Sequence, residues 1–206
     1  AEEEAPLHEW LERHQLASVP RFWQQIRIEQ GWETAVESVL RERLHALEVA
    51  DSARLREDRP SAKASLFSAG EAPVPAVVPG YVPLQDKIHA QDPRLAGALA
   101  DWFAGVFSCE GMPDAALRAG LPAGGMLVNR EGDQFTRHTV SFYAPDTADA
   151  GILARQAEIE GLEVSVAELA ARVDAAAQES QRLEGELAER TTALEEQVQT
   201  SVSPVS

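Results

Sequence analysis

Residues 171–198 read ARVDAAAQESQRLEGELAERTTALEEQV, a polar helical stretch with a narrow apolar stripe. What that stripe is for decides how the chain is organised. With Ile152 taken as heptad position a, the a positions are Ile152, Ile159, Val166, Val173, Ser180, Leu187 and Leu194. The d positions are Arg155, Leu162, Leu169, Ala176, Leu183, Arg190 and Gln197. Ten of these fourteen are apolar, two per seven residues, which is the seam of a coiled coil and not the broader face of a helix lying on a globular core. The seam weakens at Ser180, Arg190 and Gln197. At about 1.5 Å per residue it extends roughly 70 Å, longer than an ordinary domain is wide, so the helix is expected to project from whatever precedes it. Burying one seam Leu is worth about 1.5 to 3 kcal/mol, so a stripe of this length calls for a partner helix.

Two partners fit: a second copy of the same helix, or a helix that enters the chain from upstream. The opening stretch AEEEAPLHEWLERHQL, residues 1–16, favours the second. Leu7, Trp10 and Leu11 form one helical face, and the acidic run ahead of them reads as the last turn of an incoming arm. Because the sequence starts inside that run and ends in the polar SVSPVS, it reads as an excerpt of something longer.

Eleven of the twelve prolines lie at or before Pro145, and the next is Pro204, which leaves room for one uninterrupted helix. The segment PDTAD offers Asp146 or Thr147 as its N-cap, with Asp149 in the first turn. Four regions follow: 1–16, the end of an incoming coiled-coil arm and first helix; 17–145, a compact domain; 146–198, an outgoing coiled-coil arm; and 199–206, a disordered tail.

Composition bounds what the compact region can do. Hydrophobic residues make up 44% of the 206, enough for a core in part of the chain. A formal charge of −16 disfavours a surface uniformly attractive to nucleic acid or anionic membrane. A single cysteine forms no internal disulfide and fits a reducing compartment. There is no signal peptide and no apolar run long enough to span a membrane.

Inside residues 20–145 one unit occurs twice. GWETAVESVL followed by LHALEVAD is a helix with Trp32, Ala35, Val36, Val39 and Leu40 on one face, then a short strand. DPRLAGALADWF followed by AGVFSCEG repeats the order with Leu95, Ala98, Leu99, Trp102 and Phe103. Two such halves predict a bilobed mixed α/β domain. Between them, ASLFSAGEAPVPAVVPGYVP reads as a strand entering a proline-rich connection, expected to pack across the seam between the halves. MPDAALRAG reads as a short helix ending at Gly120. GGMLVNREGDQFTRHTVSFY reads as a strand, a turn at Glu131, Gly132 and Asp133, and a second strand alternating Phe135, Arg137, Thr139 and Ser141 against Thr136, His138, Val140 and Phe142.

Sharper chemical readings are weighed against plainer ones. His8 and His14 in HEWLERH are six apart, on opposite sides of a helix, and do not share a metal as an i, i+4 pair does. Cys109 falls where Val49 falls in the first repeat and reads as a buried small hydrophobe. Gly124 and Gly125 lack the spacing of a dinucleotide loop, and neither Lys63 nor Lys87 follows a phosphate-loop pattern, so no ATPase site lies in this stretch. Glu158, Glu160, Glu163 and Glu168 read as outer-face charges on the coil. Trp10, Trp23, Trp32 and Trp102 read as core or near-core anchors. No metal site and no cofactor is expected.

Across residues 6–163 the order HEWLERHQL, IRIEQGWETAVESVLRERLHALEV, ASLF, PGYVPLQDKI, DPRLAGALADWFAGVF, GGMLVNREGDQFTRHTVSFYAPD and ARQAEIEGLE resembles the hinge of a proteobacterial structural maintenance of chromosomes (SMC) protein. The resemblance implies an α+β fold: a bilobed mixed α/β hinge followed by a long coiled-coil helix. It also implies a hinge that homodimerises and joins the two halves of an antiparallel intramolecular coiled coil, so that the partner of the seam is the upstream half of the same protein. A distant ATPase head would make the full-length protein an ATPase of chromosome condensation and segregation, cytoplasmic and nucleoid-associated. DNA and accessory subunits would be partners of the complex, and no membrane would be involved.

Many hinges of this family end in a glycine-rich segment; here the corresponding stretch is TRHTVSFYAPD, with only Gly124, Gly125 and Gly132 nearby. The dimer interface is therefore expected at Gly124, Gly125, Gly132, Thr136, His138, Val140, Phe142 and Tyr143, the last three supplying apolar contact. Arg13, Arg137 and Arg155 are the candidate DNA contacts. The coiled-coil seam rests on Ile152, Ile159, Leu162, Val166, Leu169, Val173, Leu183, Leu187 and Leu194. The alternative readings are a coiled-coil scaffold that dimerises through residues 152–197 and, third, an enzyme with a helical tail.

Overall fold

Two copies of a short strand, helix, strand run organise the body of the protein. The computed structural model describes residues 4–55, 57–60, 62–74, 77–144 and 151–202. It divides into two units, Ala1–Ala157 and Glu158–Ser206.

The first unit opens with α1, Glu4–Arg13. Gln15 follows at φ 59°, and the Leu16 amide donates to the Leu11 carbonyl over 2.7 Å, closing the helix with a left-handed residue where glycine is more usual. Then come β1 (Ile26–Ile28), α2 (Glu33–Leu40), β2 (Leu47–Glu48) and β3 (Leu66–Phe67). After a long connection, β4 (Val82–Pro83) leads to β5 (Ile88–Ala90), α3 (Ala96–Trp102), β6 (Val106–Ser108), α4 (Ala115–Ala119) and β7 (Met126–Val128). β8 (Gln134–Phe135) and β9 (Val140–Ser141) complete the sheet, and α5 (Ile152–Val202) ends the described chain.

The repeat is real and longer than its helices and following strands. Each helix is preceded by a strand as well, and the two preceding strands, β1 and β5, pair antiparallel with Ile28 opposite Ile88 and Arg27 opposite His89. This ribbon joins the halves. Beyond each helix the pattern repeats again: β2 pairs parallel with β3, Leu47 opposite Leu66, and β6 pairs parallel with β7, Val106 opposite Met126. β6 and β7 are the middle of a five-stranded sheet ordered β4-β6-β7-β8-β9.

The cores follow this plan. A central cluster draws on both halves, with Phe22, Ile26, Trp32, Val36 and Leu40 against Leu84, Ile88, Leu95, Leu99 and Phe103. Each half also keeps a smaller cluster: Leu47 and Val49 with Trp10, Leu11 and Leu16 of the α1 region, and Phe107 and Cys109 with Leu121, Leu127 and Phe135. Val49 and Cys109 thus hold matching places, as the repeat requires. Trp10 and Trp32 are buried, while Trp23 and Trp102 pack partly buried against the central cluster.

Caps explain where the short helices start. Asp114 accepts from the Leu117 amide at 2.7 Å to open α4, which closes at Gly120. Asp92 accepts from the Arg94 amide, and Pro93 follows it in the turn that feeds α3.

Three expectations change. The strand and its proline-rich connection pack between the halves only in part: Phe67 is buried against Phe22 and Trp102 and Gly70 bonds Arg94 and Gly97, whereas Val74 and Val77 are exposed and Val78 and Tyr81 join the cluster under the five-stranded sheet. The strand expected to continue from Phe135 to Phe142 is broken into β8 and β9. Thr136 is the reason: its Oγ1 accepts from the amides of His138 and Thr139, so the side chain competes with the ladder and turns the chain back. At the far end, α5 runs through Val202, so residues 199–202, expected in a disordered tail, are helical, while 203–206 lie outside the described residues. The expected cap at Asp146 or Thr147, with Asp149, also lies outside them.

Within the second unit, 158–202 is a single helix with no buried residue among those described. Arg182 bridges Glu179 at 2.5 Å and Glu186 at 2.8 Å on its surface.

Candidate assembly surfaces

The last sheet strand, β9, is an edge. It pairs with β8 on one side, Gln134 opposite Ser141 and Phe135 opposite Val140. Phe135 points into the core at 0% exposure, whereas Val140 is 39% exposed and Phe142 73%. An edge strand offers its free side to another chain, and apolar side chains there favour pairing over repulsion. The opposite edge, β4, is blunted by Pro83, which has no donor.

The turn that forms β9 is held from below. Thr136 and Thr139 close it, with 3.0 Å between the Thr136 amide and the Thr139 carbonyl and 2.7 Å between the two hydroxyls. Arg118 of α4 donates to the carbonyls of Thr136 and Thr139 at 2.9 and 3.1 Å, and Arg137 donates to the Leu121 carbonyl. On the other side, Gly132 sits at φ +87° in the β7–β8 turn, where a Cβ would meet the Tyr143 ring at 2.9 Å and Ser38 at 3.1 Å. The Asn129 carboxamide accepts from the Asp133 amide at 2.7 Å, and the Asp133 carboxylate accepts from the Tyr143 amide at 2.9 Å.

The residues expected at a dimer interface therefore separate. Gly124, His138, Val140 and Phe142 are exposed; Thr136 and Tyr143 are half-buried; Gly125 and Gly132 are buried. Gly132 faces Tyr143 and Ser38, so its missing side chain serves close packing inside the body. Of the candidate DNA contacts, Arg13 is paired with Asp58 at 3.1 Å and Arg137 is tied to Leu121, while Arg155 lies exposed in the first turns of α5.

The second surface is the stripe on α5. Ile159, Leu162, Val166, Leu169, Val173, Leu183, Leu187 and Leu194 are each at least half exposed. Ile152, the first of the series, packs instead against the central core beside buried Leu153.

Elsewhere in the body charge is locally paired. Asp58 is held below the usual carboxylate range, first by the hydrogen bond from His14 at 2.9 Å and then by Arg13. Arg130 does the same for Glu110 while its guanidinium stacks 4.6 Å from the Trp32 ring. Burial pushes the Cys109 thiol up to about 11. His8 lies against Glu12 and His14 against Asp58, and no cluster suited to a metal ion occurs among the described residues. No helix among them is long and apolar enough to cross a membrane.

Three residues with structural contacts went unread in the sequence: Arg118 under the β8–β9 turn, Asp58 beside Arg13 and His14, and Glu37, whose carboxylate accepts from the Gly151 amide. Glu37 alone carried a signal, an acid in a helix whose neighbours Ala35, Val36, Val39 and Leu40 are apolar.

A duplicated α/β body with an exposed sheet edge is continued by a helix whose apolar residues keep heptad spacing. Residues 16–118 match the family described as the SMC proteins flexible hinge domain. The chain belongs to that family. It is 42% identical over 167 residues to the chromosome partition protein Smc of Bordetella petrii, a match covering 79% of this chain and 14% of that protein. It therefore spans about one-seventh of such a relative. Its fold is similar to the Geobacillus stearothermophilus SMC hinge domain, solved as an asymmetric dimer, with a TM-score of 0.59 at 18% identity, covering 79% of this chain and 73% of that one. It is also similar to the Pyrococcus furiosus Smc hinge domain with an extended coiled coil, with a TM-score of 0.52 at 16% identity, covering 96% of this chain and 77% of that one.

Proposed function

We propose that this chain is the dimerisation hinge of a longer chromosome-partition ATPase. Two copies join through β9, with Val140 and Phe142 at the contact and Gly124 and His138 beside it. α5 zips along its a and d positions to an upstream helix of the same protein. The work is mechanical: the hinge closes two arms into a V or ring, and the ATPase head, DNA and accessory subunits belong to the full-length complex at the nucleoid. The hinge needs no cofactor for this. DNA contact through Arg13, Arg137 and Arg155 is weak in this chain, whose charge is −16 and whose Arg13 and Arg137 are already engaged.

The observation that carries the reading is the presence of two apolar surfaces of different geometry: a strand edge with exposed Phe142 and a helix stripe at heptad spacing. Each fits a different partner, a strand for one and a helix for the other. Light scattering tests it. The chain cut after Ser165 is expected to keep the mass of a dimer, and Val140→Asp is expected to make it a monomer. A cut chain that is monomeric without the substitution means that α5 does the pairing, and the hinge assignment of β9 fails.

A further inference from the structure

Two consecutive residues of α2 gather the ends of one chain segment. Glu37 is 5% exposed, and its Oε1 accepts from the amide of Gly151 at 2.5 Å. Gly151 stands at φ +77° immediately before α5, and its own carbonyl accepts from Arg155, the first hydrogen bond of that helix. Next to Glu37, Ser38 is buried and touches the space at Gly132 that Tyr143 also fills. The Ser38 carbonyl accepts from the Gln134 side chain of β8 at 3.0 Å. The chain thus leaves the sheet edge at Tyr143, which shares with Ser38 the space over Gly132, and enters the long helix at Gly151 against Glu37.

A buried carboxylate is costly unless its oxygens are used, so it marks a position where an acceptor is needed. The need here is specific. The first amides of a helix have no partner within it, and the positive end of its dipole favours an anion. Gly151 at positive φ lets the backbone turn its N–H into the body, a conformation that a residue with a Cβ rarely takes. Leu153, the second residue of α5, is buried in the central core and Ile152 packs beside it, so apolar contact sets the depth of the root. The hydrogen bond from Gly151 adds direction, which apolar contact alone does not.

The geometry points to Glu37 as the positioning residue that fixes where α5 starts. The description of α5 as an arm rests on the function proposed above, but the latch does not. Residue-resolved amide exchange on the whole 206-residue chain tests it, with the amides of Gly151 and Arg155 as reporters and that of Glu29, which donates to Lys87 across the β1–β5 ribbon, as the control. In Glu37→Ala, exchange at both reporters is expected to rise at least tenfold while the control holds. Glu37→Gln keeps an acceptor of the same reach and is expected to stay within about threefold of the parent. Glu37→Asp keeps the charge but falls short by about one bond, ~1.5 Å, and is expected to behave like the alanine variant.

Unchanged exchange at Gly151 in Glu37→Ala overturns the latch, and so does a rise spread evenly over reporters and control. If the alanine variant does not fold, the other two decide: glutamine closer to the parent than aspartate supports the latch, and the reverse order or no difference overturns it. The dimer mass of each variant, read in parallel, reports on the β9 contact. Loss of the dimer reading leaves the exchange result intact.

Discussion

Leu127 and Leu183 are the same residue in two different settings. In the body, Leu127 is 1% exposed among Phe107, Leu121 and Phe135; on α5, Leu183 is 51% exposed. The body satisfies its apolar residues from within, because its two halves share a central core and each keeps a smaller one. The helix repeats its apolar residues with equal regularity and covers none of those from Ile159 onward. Regular apolar spacing therefore marks a surface that will be covered, and only the fold tells whether the cover lies in the same chain.

Substitutions at matched residues sharpen or break that contrast. Phe135→Ala, at a fully buried ring, is expected to cost about 3 to 5 kcal/mol in urea unfolding of the body, and Leu127→Ala about 2 to 5. Arg118→Ala removes two donors from the β8–β9 turn and is expected to cost about 1 to 2 kcal/mol, with faster exchange confined to residues 136–139. Leu183→Ala is expected to leave the body's unfolding within about 0.5 kcal/mol. A large effect from that last change would mean that the α5 stripe is already covered in the isolated chain, and the contrast would fail.

The two helix roots make a smaller comparison of the same kind. α5 begins at a buried carboxylate, whereas the end of α1 is tied to a half-exposed one: Asp58 holds Arg13 and His14, and its own carbonyl takes the Trp10 indole N–H at 2.8 Å. Because pairing lowers the Asp58 pKa from 3.8, its stabilisation is present above about that pH and is lost as the pH falls through the lower, folded value. Asp58→Asn is expected to flatten the acid limb of a melting-temperature profile below pH 4 and to change little at pH 7 beyond the lost ion pair. The effect is expected to be small, since solvent screens a half-exposed pair.

The helices and their apolar faces were legible in the sequence, because Trp32, Val36 and Leu40 or Leu95 and Leu99 recur at helical spacing. The single long helix of α5 was legible for the same reason, and so was the matching burial of Val49 and Cys109. The β1–β5 ribbon was not identified, although IRI and IHA alternate in register before each helix; three-residue strands give too short a period to stand out from a loop. The break at Thr136 could not be read from alternation either, since a threonine hydroxyl serves equally well on a strand face or bonded back to its own backbone. Of the expected interface, the exposed Val140 and Phe142 fit an outward edge. Gly132 was placed there by analogy with glycine-rich hinges, and its contact with Tyr143 and Ser38 could be seen only once distant parts of the chain were brought together.

Cys109, the sole thiol, has a practical use. Burial pushes its ionisation up to about 11, so it carries little reactive thiolate at neutral pH, and the sulfur is buried under the sheet. A cysteine introduced on β9 or along α5 would react with a maleimide far sooner, so spectroscopic probes or crosslinkers can be placed at chosen points without first removing the native sulfur.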